Sequence, residues 1–219
     1  VTGPIHHPGE ELLVGYAAGA LPGSLELLVA AHLVYCPQCR GDVAALEAFA
    51  GDALLASAAG APAPMGAALR AALDAPRAPH TSTTPSPPTS ALPELARVPR
   101  LLQARVPPGA RWTGWAPGFR EIPLLADGGP PIRLVRIAPG AVTPLHTHEG
   151  QERTLVIAGE LTDDEPLRTG DLAVRGADVR HAHVVTSPDP CLCLVANDAW
   201  LVPLTLRGRL FRWISDRIG

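Results

Sequence analysis

Lysine is absent from the sequence; all 18 positive charges are arginine. Schiff-base chemistry and the phosphate-gripping lysine of a P-loop are therefore excluded. There is no run of basic residues, and 21 Asp and Glu leave a net charge of −3. That balance argues against a protein that binds along a phosphate backbone. Gly, Pro and charged residues interrupt every apolar stretch before it reaches the roughly 18 residues of a membrane span. The first residues, VTGPIHHPGEELL, lack the basic start and apolar core of a secretion signal. Cysteine is scarce, four in 219 residues and in two close pairs, too few for a secreted disulfide scaffold. These absences predict a soluble, cytoplasmic protein with neither nucleic acid nor membrane as a direct partner. What is present is apolar material, 47% of the residues against 18% charged, enough to bury a core.

Proline, serine and threonine concentrate in PRAPHTSTTPSPPTSALP, residues 76–93, which has little to bury and reads as a semi-extended linker. The expected organisation is a helical domain over 1–75, a linker over 76–94 and a β domain over 95–219. GEELLVGYAAGAL, SLELLVAAHLVYC and CRGDVAALEAFAGDALL place apolar residues three and four apart, the spacing of short helices. A fourth helix, MGAALRAALDA, aligns Met65, Leu69 and Leu73 on one side, a stripe that must bury against the bundle or against a partner. Beyond residue 94, PIRLVRI, ERTLVIAG, DLAVRG, AHVVTS and CLCLVAN are short runs bounded by turn residues, the pattern of an all-β sandwich or barrel.

Histidine placement carries the chemistry. Of eight histidines, seven fall in two clusters. In HLVYCPQC, His32 and Cys36 stand one helical turn apart, and the break at Pro37 lets Cys39 approach from the first turn of the next helix. Such a helix start lowers a thiol's pKa, and thiolate is the ligating form. A fourth donor would complete the closed tetrahedral set of structural Zn²⁺. His7, held extended before Pro8, is preferred and His6 is the fallback. The competing reading is a CxxC redox pair, which normally follows a strand in a βαβ unit.

The second cluster lies in GAVTPLHTHEGQERTLVIAG. His146 and His148, two apart on a strand, share a face, and Glu152 returns to it after a short turn. The fourth donor comes from a distant strand: His181, with His183 as its competitor. Three imidazoles and a carboxylate would take a second divalent metal, Zn, Mn, Fe or Ni. Cys191 and Cys193, two apart on one strand face, are either inert core thiols or a redox pair beside that metal.

Gly140, His146, His148, Glu152 and Gly159 match G-x5-H-x-H-x3-E-x6-G, so the β part resembles the cupin family, whose fold is a jelly-roll barrel. A second cupin motif is represented by Gly170-Asp171 and His181 without its usual Pro-x-Gly. His7, His32, Cys36 and Cys39 match the signature of the zinc-binding anti-sigma domain. The combination is similar to ChrR-type anti-sigma factors, and the resemblance covers nearly the whole chain. It implies a helical domain, with Met65, Leu69 and Leu73 among its contacts, that grips a group IV (extracytoplasmic-function) sigma factor and keeps it from core RNA polymerase. It further implies a cupin that senses a stress such as singlet oxygen or organic hydroperoxide and causes release. The alternative is a metal-dependent cupin enzyme of dioxygenase or isomerase type with an accessory zinc domain.

Overall fold

Proline punctuation sets the helical part. In the computed structural model, which describes residues 3–57, 66–75, 92–199 and 201–204, α1 spans Glu10–Ala17, α2 Gly23–Tyr35, α3 Pro37–Ser57 and α4 Ala67–Asp74. Glu10 and Glu11 occupy the first turn of α1, where negative charge opposes the helix dipole favourably. α2 stops because Pro37 disfavours helical geometry at Cys36, which is extended (φ −106°, ψ 102°). Pro37 then opens α3, the position where its missing N–H costs nothing. Cys36 and Cys39 thus flank a sharp change of chain direction. Met65 lies outside the described residues, as does most of the Pro-rich stretch. Leu69 and Leu73 lie on α4, four apart and so on one face of its backbone.

Among the described residues the β part is all-antiparallel, in agreement with a sandwich of short strands. Its strands are β1 (Thr113–Ala116), β2 (Phe119–Pro123), β3 (Ile132–Ile137), β4 (His146–His148), β5 (Glu152–Ala158), β6 (Glu160–Asp163), β7 (Glu165–Arg168), β8 (Leu172–Arg175), β9 (Val184–Val185), β10 (Cys191–Asn197) and β11 (Leu201–Pro203). Among the described residues a six-stranded sheet runs β1-β2-β3-β10-β5-β8, opposite the strands β7-β6-β9, with β11 and β4 paired near the mouth. The β1–β2 hairpin and the helical turns at Pro93–Arg97 and α5 (Arg100–Gln103) depart from the sequence reading. Pro93 and Pro99 explain the turns, because each pre-sets the backbone at the start of a helical turn in a region read as linker and strand.

β5 and β10 are buried on almost every residue rather than on alternate ones. The cause is a cover on both faces. Val135, Ile137, Val156, Leu161, Cys191 and Cys193 fill the space between the sheets. On the opposite face Leu134, Leu155, Leu172, Leu192 and Leu194 pack beneath Leu25, Leu28 and Ala31 of α2, together with Leu95, Val98 and Leu102. The other side of α2 presents Val29 to Leu13, Cys36, Cys39 and Val43. α2 is therefore apolar nearly all round because it is an inner layer, between the helical cluster and the sheet.

Candidate functional site

Two groups of metal-ligating side chains come together among the described residues. The first is His7, His32, Cys36 and Cys39. His7 Nδ1 lies 3.4 Å from Cys36 Sγ and 3.3 Å from Cys39 Sγ, and His32 Nε2 lies 3.4 Å from Cys39 Sγ. Nitrogen and sulfur ligands around a tetrahedral Zn²⁺ would stand about 3.5 Å apart given usual bond lengths, so this donor set fits that ion. His6 stays out of the group and faces Glu165, its Nδ1 3.8 Å from the carboxylate. His32 Nδ1 donates to the carbonyl of Gly170 at 2.9 Å, which leaves Nε2 as the bare lone pair turned toward the thiols. Burial depresses His32 to about 4, outweighing the Gly170 contact, so the ring is neutral at pH 7 as a ligand must be. The thiols depart from the sequence expectation. Burial, with Cys36 alongside, pushes Cys39 up to about 12, and the helix start does not compensate. A bound cation would supply the missing stabilisation of thiolate.

The second group forms at the barrel mouth. β4 sends His146 and His148 inward, β5 begins with Glu152, and His181 is locked to His146 by paired backbone hydrogen bonds of 3.0 Å. His148 Nε2 lies 3.0 Å from His181 Nε2 and 3.2 Å from Glu152 Oε2. His183 joins them, its Nε2 3.5 Å from Glu152 and 3.7 Å from Asp163. His146, Glu152, His181 and His183 each place a donor within 4.8 Å of the others, so both competitors, His181 and His183, are in the set, whereas the expected donor His148 falls outside it and meets His181 and Glu152 from its edge. His146 Nδ1 donates to the Pro144 carbonyl at 2.7 Å, and its buried Nε2 has no hydrogen-bond partner among the described residues. His181 Nδ1 donates to Asp163 at 2.8 Å, so its Nε2 is the lone-pair nitrogen facing His148. His148 Nε2 can donate a hydrogen bond to that nitrogen or turn a lone pair to a shared cation, and the donor set fits a divalent metal of the first transition row.

The supporting residues include several without a sequence signal. Asp163 sits on β6 in the acidic run TDDE, indistinguishable in sequence from a solvated turn, yet it is buried and also accepts from Arg175 Nε at 3.0 Å. Asn197 Nδ2 and Thr154 Oγ1 donate to Glu152 at 3.2 and 3.3 Å. Burial lowers His146 to about 4 and also lowers His148, leaving both neutral. Burial alone would raise Glu152, but facing histidines, His183 first, keep it ionised. Burial alone would likewise raise Asp163, but its hydrogen bond to His181 and the nearby His183 hold it far below the usual carboxylate range. His183 moves up despite burial because Asp163 and Glu152 stabilise its proton.

Cys191 and Cys193 are fully buried between the sheets with their sulfurs 3.7 Å apart. The contact with Cys191 and burial together push the Cys193 thiol well above its ordinary range, which disfavours the reactive thiolate.

The ChrR cupin-like domain family matches residues 107–200. The chain is 32% identical over 200 residues to the anti-sigma-E factor ChrR of Cereibacter sphaeroides, covering 89% of this chain and 90% of that one. It is also similar to the crystal structure of Rhodobacter sphaeroides SigE in complex with the anti-sigma ChrR, with a TM-score of 0.68, 29% identity, and coverage of 88% of this chain and 98% of that one. With identity at that level along nearly the whole of both chains, the protein belongs to the ChrR family.

Proposed function

We propose that the protein is an anti-sigma factor. Its helical part, pinned by Zn²⁺ on His7, His32, Cys36 and Cys39, holds a group IV sigma factor away from core RNA polymerase in the cytoplasm. The cupin, with a divalent metal on His146, His148, Glu152 and His181, governs release under a stress such as singlet oxygen or organic hydroperoxide. One observation carries the reading: the likeness to a ChrR crystallised with its sigma factor extends across the helical and the β parts together. A relative that is a regulator, and not a dioxygenase or isomerase, supports the same choice.

Surface chemistry agrees with a protein partner. Phe49, Leu54 and Leu55 of α3 are 76%, 69% and 74% exposed, apolar surface available for burial in a complex. The face of α4 carrying Leu69 and Leu73, continued by Met65 in the sequence, is proposed as a second contact. His181 is favoured over His183 as fourth cupin ligand because its Nδ1–H is committed to Asp163, which makes its Nε2 the lone-pair nitrogen. Cys191 and Cys193 are close enough to bond once an oxidant reaches them, although their burial suits packing. If they sense hydroperoxide, Cys191→Ser abolishes release by it; an unchanged response assigns them to packing.

The test is transcription in vitro from RNA polymerase reconstituted with a group IV sigma factor of the source genome. The full-length, zinc-loaded protein is expected to silence it, and Leu69→Asp to relieve silencing with zinc content unchanged. Undiminished transcription with every such sigma factor of that genome would contradict the reading.

A further inference from the structure

The residues that orient the first metal cluster belong partly to the cupin. Between β7 and β8 the chain turns through Thr169, Gly170 and Asp171. The Gly170 carbonyl receives His32 Nδ1 and thereby selects the tautomer that points Nε2 at Cys39. Asp171 Oδ1 accepts the backbone N–H of Ile5 at 2.7 Å and of His6 at 3.0 Å, pinning the chain one residue before His7. Its other oxygen accepts from Arg168 N at 2.8 Å, which fixes the carboxylate to its own turn. Leu172 N donates to the His6 carbonyl at 3.0 Å, so a backbone hydrogen bond ties the segment before α1 to the edge strand β8. Gly170 (φ 95°) is required on two counts. Its backbone lies in the left-handed region, and a Cβ would sit 2.7 Å from Pro4 and 2.8 Å from Tyr35.

The same strand supports the second cluster from its other end. β8 finishes at Arg175, which holds Asp163 at 3.0 Å, and Asp163 orients His181 at 2.8 Å. β5, which starts at the cupin donor Glu152, exchanges backbone hydrogen bonds with this turn: Gly170 N donates to Val156 O at 2.8 Å and Val156 N to Asp171 O at 3.0 Å. His32 and His181 are therefore oriented from opposite ends of one four-residue strand.

We infer that Gly170 and Asp171 of the cupin are positioning residues for the N-terminal metal site, so that the metal affinities of the two sites are linked through β8. The inference rests on both clusters binding metal as proposed above. Linkage of this kind is reciprocal: metal at one site changes affinity at the other by the same factor that the other returns. It gives the cupin a physical route to the helical part that needs no separate messenger.

Cobalt(II) titration of the full-length protein tests this. A thiolate-to-cobalt charge-transfer band reports the first cluster alone, since the cupin donors include no sulfur. Asp171→Asn is expected to weaken cobalt binding there by roughly 10–100-fold, the effect of losing an outer-shell partner, while the band at saturation and total cobalt stay unchanged. His146→Ala, which removes a cupin donor, is expected to shift the same affinity in wild type by more than measurement error, and to have no further effect in the Asp171→Asn background. Wild-type affinity in Asp171→Asn would overturn the inference. If that variant does not fold, equal affinities in wild type and His146→Ala overturn it instead. Absence of the band in wild type would sink the metal reading itself. No sigma factor is in the cuvette, so failure here leaves the anti-sigma reading to its own transcription test.

Discussion

The two clusters differ in how many donors they offer. Near the N-terminus, two thiols and two imidazoles make a set of four with no spare donor among them. At the cupin mouth, His146, His181, His183 and Glu152 form one set of four, and His148 adds a further donor beside His181 and Glu152, with Asp163 behind them. A closed set of four suits a metal that holds a fold; a surplus suits a metal whose coordination can change. The difference teaches that metal at these sites would give permanence to a small helical part with a thin core of its own and adaptability to the barrel, whose core is complete.

Cys36→Ser strikes the closed set and should have the largest effect. Structural zinc binding is worth on the order of 10 kcal/mol in small domains, and it is coupled to folding. The variant is expected to lose one metal equivalent by native mass spectrometry and helical signal by circular dichroism, with cupin metal retained. Asp163→Asn comes next, since it removes the carboxylate behind His181 without removing a donor. Cupin metal affinity should fall roughly 10–100-fold in a chelator competition, with the N-terminal metal still bound. His183→Ala should be milder than Asp163→Asn in the same assay because a spare donor is lost. A larger effect from His183→Ala would break the comparison and make His183 the ligand in place of His181.

The smallest effect is a pH dependence shared by the clusters. His32 and His146 are both depressed from 6.5 to about 4 by burial. In the chelator-stripped protein the unfolded chain therefore binds more protons than the folded one between those values. Stability falls as pH drops from about 6.5 to about 4, and these two groups add no further pH dependence outside that window. Urea midpoints across the window should decline in wild type and decline less in His32→Gln and in His146→Gln. An undiminished slope in either variant would remove that histidine from the account.

Much of this was legible because it is local. The three-residue spacing of Cys36 and Cys39, the i,i+4 step from His32 and the alternation of His146 and His148 each specify a shared face within one or two elements. α1, α2 and α3 announce themselves by apolar spacing, as do β3, β5, β8 and β10. What could not be read depends on distant chain. Asp163 and Arg175 look like surface charges until β6 and β8 are folded. β1 and β2 carry Gly, Pro and charge, with little pattern to mark them as strands. α2 announces a helix, but not that its second apolar face is reserved for the cupin sheet.

The most direct test of the account is recovery of the partner from the source organism's lysate with full-length, zinc-loaded protein as bait. The account predicts a group IV sigma factor in stoichiometric yield, lost with Cys36→Ser and retained with His146→Ala. A folded, zinc-loaded bait that recovers no sigma factor, or that recovers one equally well with Cys36→Ser, would contradict it.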